Sequence, residues 1–85
     1  MAIRIRYFAW LRYRTGVAEE EVDPPASVAT VRELAAWIAE RHPGFKEALG
    51  APGVVRFAVN QEYVPDDAAI GPGDEVAFFP PVTGG

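Results

Sequence analysis

The sequence predicts an α+β domain in which one main helix packs on one face of a mixed β-sheet. Two observations support this class: alternating apolar and polar residues near both ends of the chain, and one clear amphipathic helical pattern between them. The chain has 85 residues, of which 49% are hydrophobic, as in an ordinary small globular domain with a modest core. We therefore expect one domain over residues 1–79 and a short tail over residues 80–85.

The first part of the chain predicts two strands. Residues 3–9 alternate in polarity, with Ile3, Ile5 and Tyr7 on one face and Arg4, Arg6 and Phe8 on the other. Residues 17–23 form the second candidate. Their acidic run, Glu19-Glu20-Glu21, is typical of an exposed edge, where charge discourages pairing with another sheet.

Residues 30–42 form the clearest helix. Thr30 and Glu33 fit a capping box, in which the threonine hydroxyl accepts a hydrogen bond from a free N–H and the glutamate reaches back. Apolar residues recur with the spacing of one buried stripe: Val31, Leu34, Ala35, Ile38 and Ala39. Pro43-Gly44 ends this helix, and residues 45–49 are expected to add one short turn at most.

Three further strands are predicted, at residues 54–59, 63–64 and 75–79. Val55, Phe57 and Val59 are assigned to the core face of the first, while Val76 and Phe78 point inward and Phe79 outward in the last. The element order is strand, strand, helix, then two or three strands, with the last strand returning to the first. This order predicts a β-grasp, the ubiquitin-like α+β architecture.

Composition excludes several kinds of function. The net charge is −4, which disfavours nucleic-acid binding, and the chain has no cysteine for a disulfide, a thiolate nucleophile or a metal site. His42 is interpreted as a solvated helix cap, and the acidic pairs Asp66-Asp67 and Asp74-Glu75 as turn formers, so no metal site is expected. Without a signal peptide or a membrane-spanning run, we expect a cytoplasmic protein.

The last six residues are Pro80, Pro81, Val82, Thr83, Gly84 and Gly85. The two prolines favour an extended conformation that holds the tail away from the sheet. The two glycines have no Cβ, so the terminal carbonyl can enter a narrow site and be attacked from either face. We therefore expect a flexible arm, about 20 Å long when extended, that presents the Gly85 carboxylate to a partner.

Exposed aromatic residues predict where that partner docks. In the register above, Phe8 and Phe79 both point away from the helix, and Tyr63 is a candidate to join them. The first and last strands of a β-grasp are neighbours, so these rings would form one patch at the root of the arm. Such patches on small soluble domains tend to be partner surfaces, although a register error of one residue would exchange the two faces.

The final run, Asp74-Glu75-Val76-Ala77-Phe78-Phe79-Pro80-Pro81-Val82-Thr83-Gly84-Gly85, resembles the C terminus of the small, sulfur-carrier subunits of molybdopterin synthase. Further motifs fall where that family places them: Tyr7-Phe8-Ala9 with Leu11-Arg12, Val31-Arg32-Glu33-Leu34, and Val59-Asn60-Gln61. The run from Phe78 to Gly85 is the specific part. A terminal Gly-Gly alone is shared with the thiamine-pathway carrier and with ubiquitin-like modifiers.

The resemblance implies a mechanism. A ubiquitin-activating-type adenylyltransferase uses ATP and magnesium to convert the Gly85 carboxylate to an acyl-adenylate, and sulfur from a donor protein replaces AMP to give a thiocarboxylate. The arm inserts into the large synthase subunit, whose residues transfer the sulfur to cyclic pyranopterin monophosphate. This chain itself would bind no cofactor. By the same resemblance, Phe8, Tyr63 and Phe79 contact the large subunit, and Gly84 gives access to Gly85.

Three alternatives remain open at this point. One is sulfur supply to thiamine or to a tungsten cofactor, and another is a protein modifier joined through Gly85 to lysines of its targets. The chemistry of the tail is compatible with both. The third is an assembly subunit whose tail only fills a groove in its partner.

Overall fold

In a computed structural model, which describes residues 1–51 and 54–81, the described residues form five strands and three helices. In chain order they are β1 (Ile3–Tyr7), α1 (Leu11–Thr15), β2 (Glu19–Val22), α2 (Val31–Arg41), α3 (Pro43–Leu49), β3 (Arg56–Val59), β4 (Glu62–Val64) and β5 (Glu75–Phe79).

The strands form one mixed sheet with the order β2-β1-β5-β3-β4. The first and last strands of the chain, β1 and β5, are parallel neighbours, and the other pairs are antiparallel. This topology, with the helix packed against the sheet, confirms the predicted β-grasp. It also places β2 at an edge, as its acidic run predicted.

The core lies between the sheet and the helices. Ile3, Ile5, Val76 and Phe78 are fully buried, which confirms the inward face predicted for the first and last strands. The predicted stripe of α2 is buried as well, comprising Val31, Leu34, Ala35, Ile38 and Ala39. Burying a valine, leucine, isoleucine or phenylalanine side chain stabilises a fold by about 1.5–3 kcal/mol.

Helix α2 begins with the predicted cap. The Thr30 hydroxyl accepts a hydrogen bond from the backbone N–H of Glu33 at 3.2 Å, and the Glu33 carboxylate accepts one from the backbone N–H of Ala29 at 3.1 Å. The carboxylate thus reaches one residue beyond the position expected for a standard capping box. It satisfies a backbone donor just before the helix and fixes the direction in which the chain enters.

Two helical segments differ from the sequence prediction. Helix α1 was not predicted, because five residues with one buried side chain, Leu11, show no helical period. Helix α3 is longer than one turn, and Pro43 begins it rather than only ending α2, since proline is well tolerated in the first helical turn. The two helices touch: a Cβ on Gly44 would lie 2.7 Å from the Arg14 carbonyl oxygen, so only glycine fits there.

Strand β3 is shorter than predicted and begins at Arg56. The core face assigned to it is confirmed in part. Val55 is buried, whereas Phe57 and Val59 are partly buried and pack against the core. Ala58, on the opposite face, is also buried. Within the part of the chain that the structure describes, no helix is long and apolar enough to cross a membrane.

Candidate functional site

The sheet face that points away from the helices carries the candidate site, and we call it the outer face. The strand register aligns four of its residues across the sheet: Arg6 pairs with Ala77, Ala77 with Ala58, and Ala58 with Tyr63. The two alanines in the middle of this row are small. The centre of the outer face is therefore a depression between larger side chains on either side.

Aromatic side chains border this depression. The rings of Tyr63 and Phe79 lie 5.2 Å apart, centroid to centroid, and Tyr63 is 79% exposed. Phe8 is 40% exposed, and the guanidinium of Arg6 lies 5.0 Å from the centroid of its ring. The backbone N–H of Phe8 donates to the carbonyl of Phe78 at 3.0 Å, which fixes Phe8 beside the end of β5.

Together these residues line an open groove of about 410 Å³, which we call the outer groove. Its lining includes Phe8, Tyr63 and Phe79, the three residues predicted to bind a partner, and also Pro80. The structure thus brings all three rings to one surface, at the start of the arm. Ala58 and Ala77 also line this groove and were not predicted as site residues. The available signal was the strand alternation, which places them on the face opposite to that of their chain neighbours Phe57 and Phe78.

The arm leaves from the central strand of the sheet. β5 lies in the middle of the sheet between β1 and β3, and its Val76 and Phe78 side chains are fully buried. Pro80 lies at the outer groove, and Pro81 lies at a second groove of about 550 Å³, beside β4. The remaining predicted site residues, Val82, Thr83, Gly84 and Gly85, lie outside the described residues.

Charged residues lie on the β2 side of the outer face, and two of them, Arg6 and Glu75, also line the outer groove. Arg6 lies 3.9 Å from the Glu19 carboxylate and 3.5 Å from that of Glu75. Pairs as exposed as these contribute little to stability. Their effect is to make the β2 side of the face polar, so that the apolar part is confined to the side from which the arm departs.

His42 is the C-terminal cap residue of α2, as predicted, but its side chain is not solvated. Its Nε2 lies 2.8 Å from a carboxylate oxygen of Glu20, and that same oxygen accepts a hydrogen bond from the Tyr7 hydroxyl at 2.7 Å. The side chains of His42 and Glu20 are only 19% and 16% exposed. Glu20 therefore points inward, whereas Glu19 and Glu21 are exposed as expected.

The Tyr7–Glu20–His42 cluster joins β1 and β2 to the junction of α2 and α3. Burial raises the pKa of the Tyr7 hydroxyl, and its hydrogen bond to Glu20 raises it further. The cluster lies on the helix side of the sheet and not on the outer face, since Tyr7 and Ile5, the partner of Glu20, both point to the core. It has a structural role in holding the layers together.

The acidic pairs have local structural partners. The Asp74 carboxylate accepts a hydrogen bond from the backbone N–H of Gly71 at 2.8 Å, as the turn-forming interpretation predicts. Asp66 and Asp67 also lie in a turn, which the hydrogen bond from the backbone N–H of Ala68 to the Pro65 carbonyl closes at 3.2 Å. The Asp66 carboxylate accepts two further hydrogen bonds from Arg32, at 3.1 and 3.0 Å, and this guanidinium lowers the pKa of the Asp66 carboxyl. Over residues 1–51 and 54–81, no three histidine or acidic side chains lie close enough together to hold a metal ion.

Comparison with known sequences gives a consistent picture. A sequence profile of the ThiS family matches residues 5–85. The molybdopterin synthase sulfur carrier subunit of Escherichia coli is 41% identical over 83 residues, an alignment that covers 98% of this chain and 99% of that protein. The human protein of the same name is 35% identical over 88 residues, covering 98% of this chain and 93% of that protein.

Solved structures agree with the sequence comparison. A putative molybdopterin converting factor subunit 1 from Pyrococcus furiosus has a TM-score of 0.82 and 39% identity, covering 96% of this chain and 99% of that one. Small archaeal modifier protein 1 from Haloferax volcanii has a TM-score of 0.81 and 27% identity, covering 95% and 98%. A complex of subunits 1 and 2 of the molybdopterin-converting factor from Helicobacter pylori matches with a TM-score of 0.67 and 26% identity over 100% of both chains.

Proposed function

This chain belongs to the ThiS family, and we propose that it is the sulfur carrier subunit of a molybdopterin synthase. The observation that carries the proposal is the position of Phe79 and Pro80. They line one groove with Phe8 and Tyr63 and lead directly into a sequence that ends in Gly84-Gly85. A partner that covers the outer groove would thereby receive the arm. The names of the relatives in Escherichia coli and humans support the same role.

The first chemical step is activation of the Gly85 carboxylate. A carboxylate is a poor electrophile, because its negative charge repels a nucleophile and oxide is a very poor leaving group. In the proposed step, one carboxylate oxygen attacks the α-phosphorus of ATP in a partner adenylyltransferase and pyrophosphate leaves, with magnesium neutralising the phosphate charge. The resulting acyl-adenylate has AMP as a good leaving group.

In the second step, hydrosulfide from a donor protein attacks the acyl carbon, the bond to AMP breaks, and Gly85 is left as a thiocarboxylate. A donor persulfide would release that hydrosulfide by exchange with a thiol, which is oxidised to a disulfide. A chain without cysteine can carry sulfur in this way, since the terminus itself holds it. The thiocarboxylate is then proposed to enter the large subunit, whose residues transfer the sulfur to cyclic pyranopterin monophosphate. Two rounds would supply the two sulfurs of the dithiolene.

In this proposal the folded domain binds and positions, and it does no acid–base chemistry. Phe8, Tyr63 and Phe79 supply the apolar contact, and the buried strand β5 holds the start of the arm at a fixed point. The two prolines would stiffen the start of the arm. The Helicobacter pylori complex of subunits 1 and 2 supports a large subunit as the partner.

Reconstitution tests the proposal. The purified chain, an adenylyltransferase of this pathway, ATP, magnesium and a sulfur donor are expected to yield a chain in which one oxygen is replaced by sulfur, as measured by intact mass. Added to the large subunit and cyclic pyranopterin monophosphate, that product is expected to form molybdopterin. Omission of ATP is the control. A thiocarboxylated chain that transfers no sulfur to this precursor but supplies a thiazole-forming or tungsten-cofactor system would redirect the proposal to those pathways.

A second candidate is conjugation to other proteins, which the similarity to small archaeal modifier protein 1 favours. The same acyl-adenylate would then react with a lysine amine of a target and form an isopeptide bond with loss of AMP. Mass spectrometry of native cell extracts separates the two functions. Arg56 is the last basic residue of the chain, so trypsin would leave residues 57–85 attached to a modified lysine. That branched peptide on target lysines points to a modifier, whereas the thiocarboxylated chain without such adducts points to a carrier.

A further inference from the structure

Exposed apolar side chains are concentrated in a short part of this chain. Among the residues that the structure describes, the exposed large hydrophobic side chains are Phe8, Trp10, Tyr13, Val17 and Tyr63. Four of these five lie within residues 8–17, around helix α1. Phe8 belongs to the outer groove, but Trp10 and Tyr13 do not line it. A surface role for these two rings is therefore a separate question.

Helical geometry places these rings together. Trp10 has helical backbone angles, and Tyr13 follows it by three residues and Arg14 by four, so the three side chains share one side of α1. Leu11 is buried on the other side. Tyr13 is 82% exposed, and the Arg14 guanidinium lies 5.7 Å from the centroid of a Trp10 ring. Arg12 lies at the border of this side, nearer to Tyr13 than to Trp10. We call Trp10, Arg12, Tyr13 and Arg14 the α1 ridge.

Charge sets the α1 ridge apart from the rest of the protein. Residues 1–18 contain four of the seven arginines and none of the twelve acidic residues, although the chain as a whole has a net charge of −4. Arg14 forms an ion pair with Glu47 at 3.0 Å. Arg12 is exposed and has no ion pair within 4.0 Å among the described residues. The ridge is thus a basic and aromatic surface on an acidic domain, which complements a surface that is both apolar and acidic.

The α1 ridge is continuous with the root of the arm. β1 and β5 are parallel and end side by side, with Tyr7 paired to Phe78. Beyond this pair, Ala9 and Pro80 both line the outer groove, so the segment that leads into α1 lies beside the start of the arm. Ala9 makes the change of direction with a φ of 55°, in the left-handed region that non-glycine residues rarely adopt.

We infer that the α1 ridge is a second docking surface for the large subunit. The large subunit would then contact the domain on two sides of the start of the arm, at the outer groove and at Trp10 and Tyr13. The inference rests on the proposed function. The large subunit would present carboxylates to Arg12 and an apolar surface to Tyr13. Contact on two sides of the root fixes the direction of the arm, which contact at the outer groove alone would leave free to pivot.

Binding of the full chain to the purified large subunit tests the inference. Tyr13→Ala is expected to weaken the affinity about tenfold, and Trp10→Ala combined with Tyr13→Ala more than that. Tyr13→Phe keeps the ring and is expected to bind nearly as well as the wild type. Arg12→Glu is expected to slow association at low salt and to reduce its dependence on salt. Glu40→Ala, on the exposed side of α2, is the matched control and is expected to change nothing.

The outcomes separate the inference from the proposed function. Wild-type affinity of both Tyr13→Ala and the double variant, with normal binding of the wild-type chain, would overturn the inference and leave the proposed function intact. The inference would also be overturned if the variants lost only their binding to the adenylyltransferase. The same holds if they lost only the association between copies of this chain, as measured by analytical ultracentrifugation. A wild-type chain that does not bind the large subunit at all would overturn both. Tyr13 is so exposed that its replacement is expected to leave thermal unfolding unchanged, which checks that a loss of binding is not a loss of fold.

Discussion

The ring of Tyr63 lies against the ring of Phe79, with 5.2 Å between their centroids and 34° between their planes. Tyr63 belongs to the edge strand β4 and Phe79 to the central strand β5, and β3 separates the two strands. The rings can meet because Ala58, the β3 residue paired with Tyr63, is small. The wall of the outer groove that Tyr63 and Phe79 form therefore depends on a contact from β4 across β3 to β5.

The first prediction concerns this groove. Phe8→Ala and Phe79→Ala are each expected to weaken binding to the large subunit by about 2 kcal/mol or more, because aromatic side chains in the middle of an interface contribute most of its energy. Tyr63→Ala is expected to act in the same direction. Isothermal titration calorimetry measures the effect. Glu62→Ala, an exposed neighbour of Tyr63 on the same strand, is the control, and unchanged affinity of the Phe8 and Phe79 variants would place the interface elsewhere.

The second prediction concerns the end of the arm. Deletion of Gly85 moves the carboxylate by about 3.5 Å, and a misplacement of even about 1 Å can reduce a rate 10²-fold. We expect the deletion, or one added residue after Gly85, to abolish sulfur transfer in the reconstituted assay and to leave the unfolding temperature unchanged. His42→Ala is expected to retain transfer, although it loses the contact with Glu20. Substantial product from the Gly85 deletion would show that the reacting group lies elsewhere.

The third prediction concerns alkaline stability. The pKa of Tyr7 is raised above its ordinary value of 10.0, first by burial and then by the hydrogen bond to Glu20, so the folded state retains a proton that the unfolded state loses. Its contribution to stability is complete below about pH 10 and is lost as the pH rises further, by up to about 1.4 kcal/mol per pH unit. Urea unfolding at a series of pH values measures this slope. We expect Tyr7→Phe to abolish it and the exposed Tyr13→Phe to leave it; equal slopes in Tyr7→Phe and the wild type would contradict the assignment.

The fourth prediction concerns the β3–β4 turn. Asn60 and Gln61 both have positive φ, of 51° and 70°, and the Asn60 side chain accepts a hydrogen bond from the backbone N–H of Glu75 and donates one to Asp74, both at 3.0 Å. Asn60→Ala loses these bonds and fits this φ poorly, so we expect a cost of about 2 kcal/mol in the free energy of unfolding. Asn60→Gly loses only the bonds and is expected to cost less. If chemical denaturation shows Asn60→Gly to be less stable than Asn60→Ala, the positive φ is not the reason why Asn60→Ala is destabilised.

Most of the fold could be predicted from patterns within short segments of the sequence. The buried stripe and cap of α2 lie within thirteen residues of one another, and the alternation in β1 and β5 spans five residues each, so the sequence contains both signals directly. The same alternation put Phe8 and Phe79 on the face opposite the core. Helix α1 has one buried residue and no period, so its formation depends on contact with α3, which the local sequence does not encode.

The interior polar contacts could not be predicted for a related reason. Glu20 and His42 are 22 residues apart in the chain, and in an acidic run Glu20 is indistinguishable by type from Glu19 and Glu21. Only the pairing of Glu20 with Ile5 in the sheet determines that it points inward. Likewise, the depression at Ala58 and Ala77 requires that β3 and β5 be neighbours, which follows from the topology and not from either strand alone.

The central position of β5 also affects how the protein is made. The ribosome synthesises Glu75–Phe79 after every other strand and helix of the domain, yet β1 and β3 are joined only through this strand. A nascent chain that has reached residue 74 can form α2 and local hairpins, but it lacks Phe78 in the core and cannot complete the sheet. The outer face therefore forms only once the strand that leads into the arm has been translated. Under the proposed function, a chain that ends before β5 would therefore lack the surface that binds the partner.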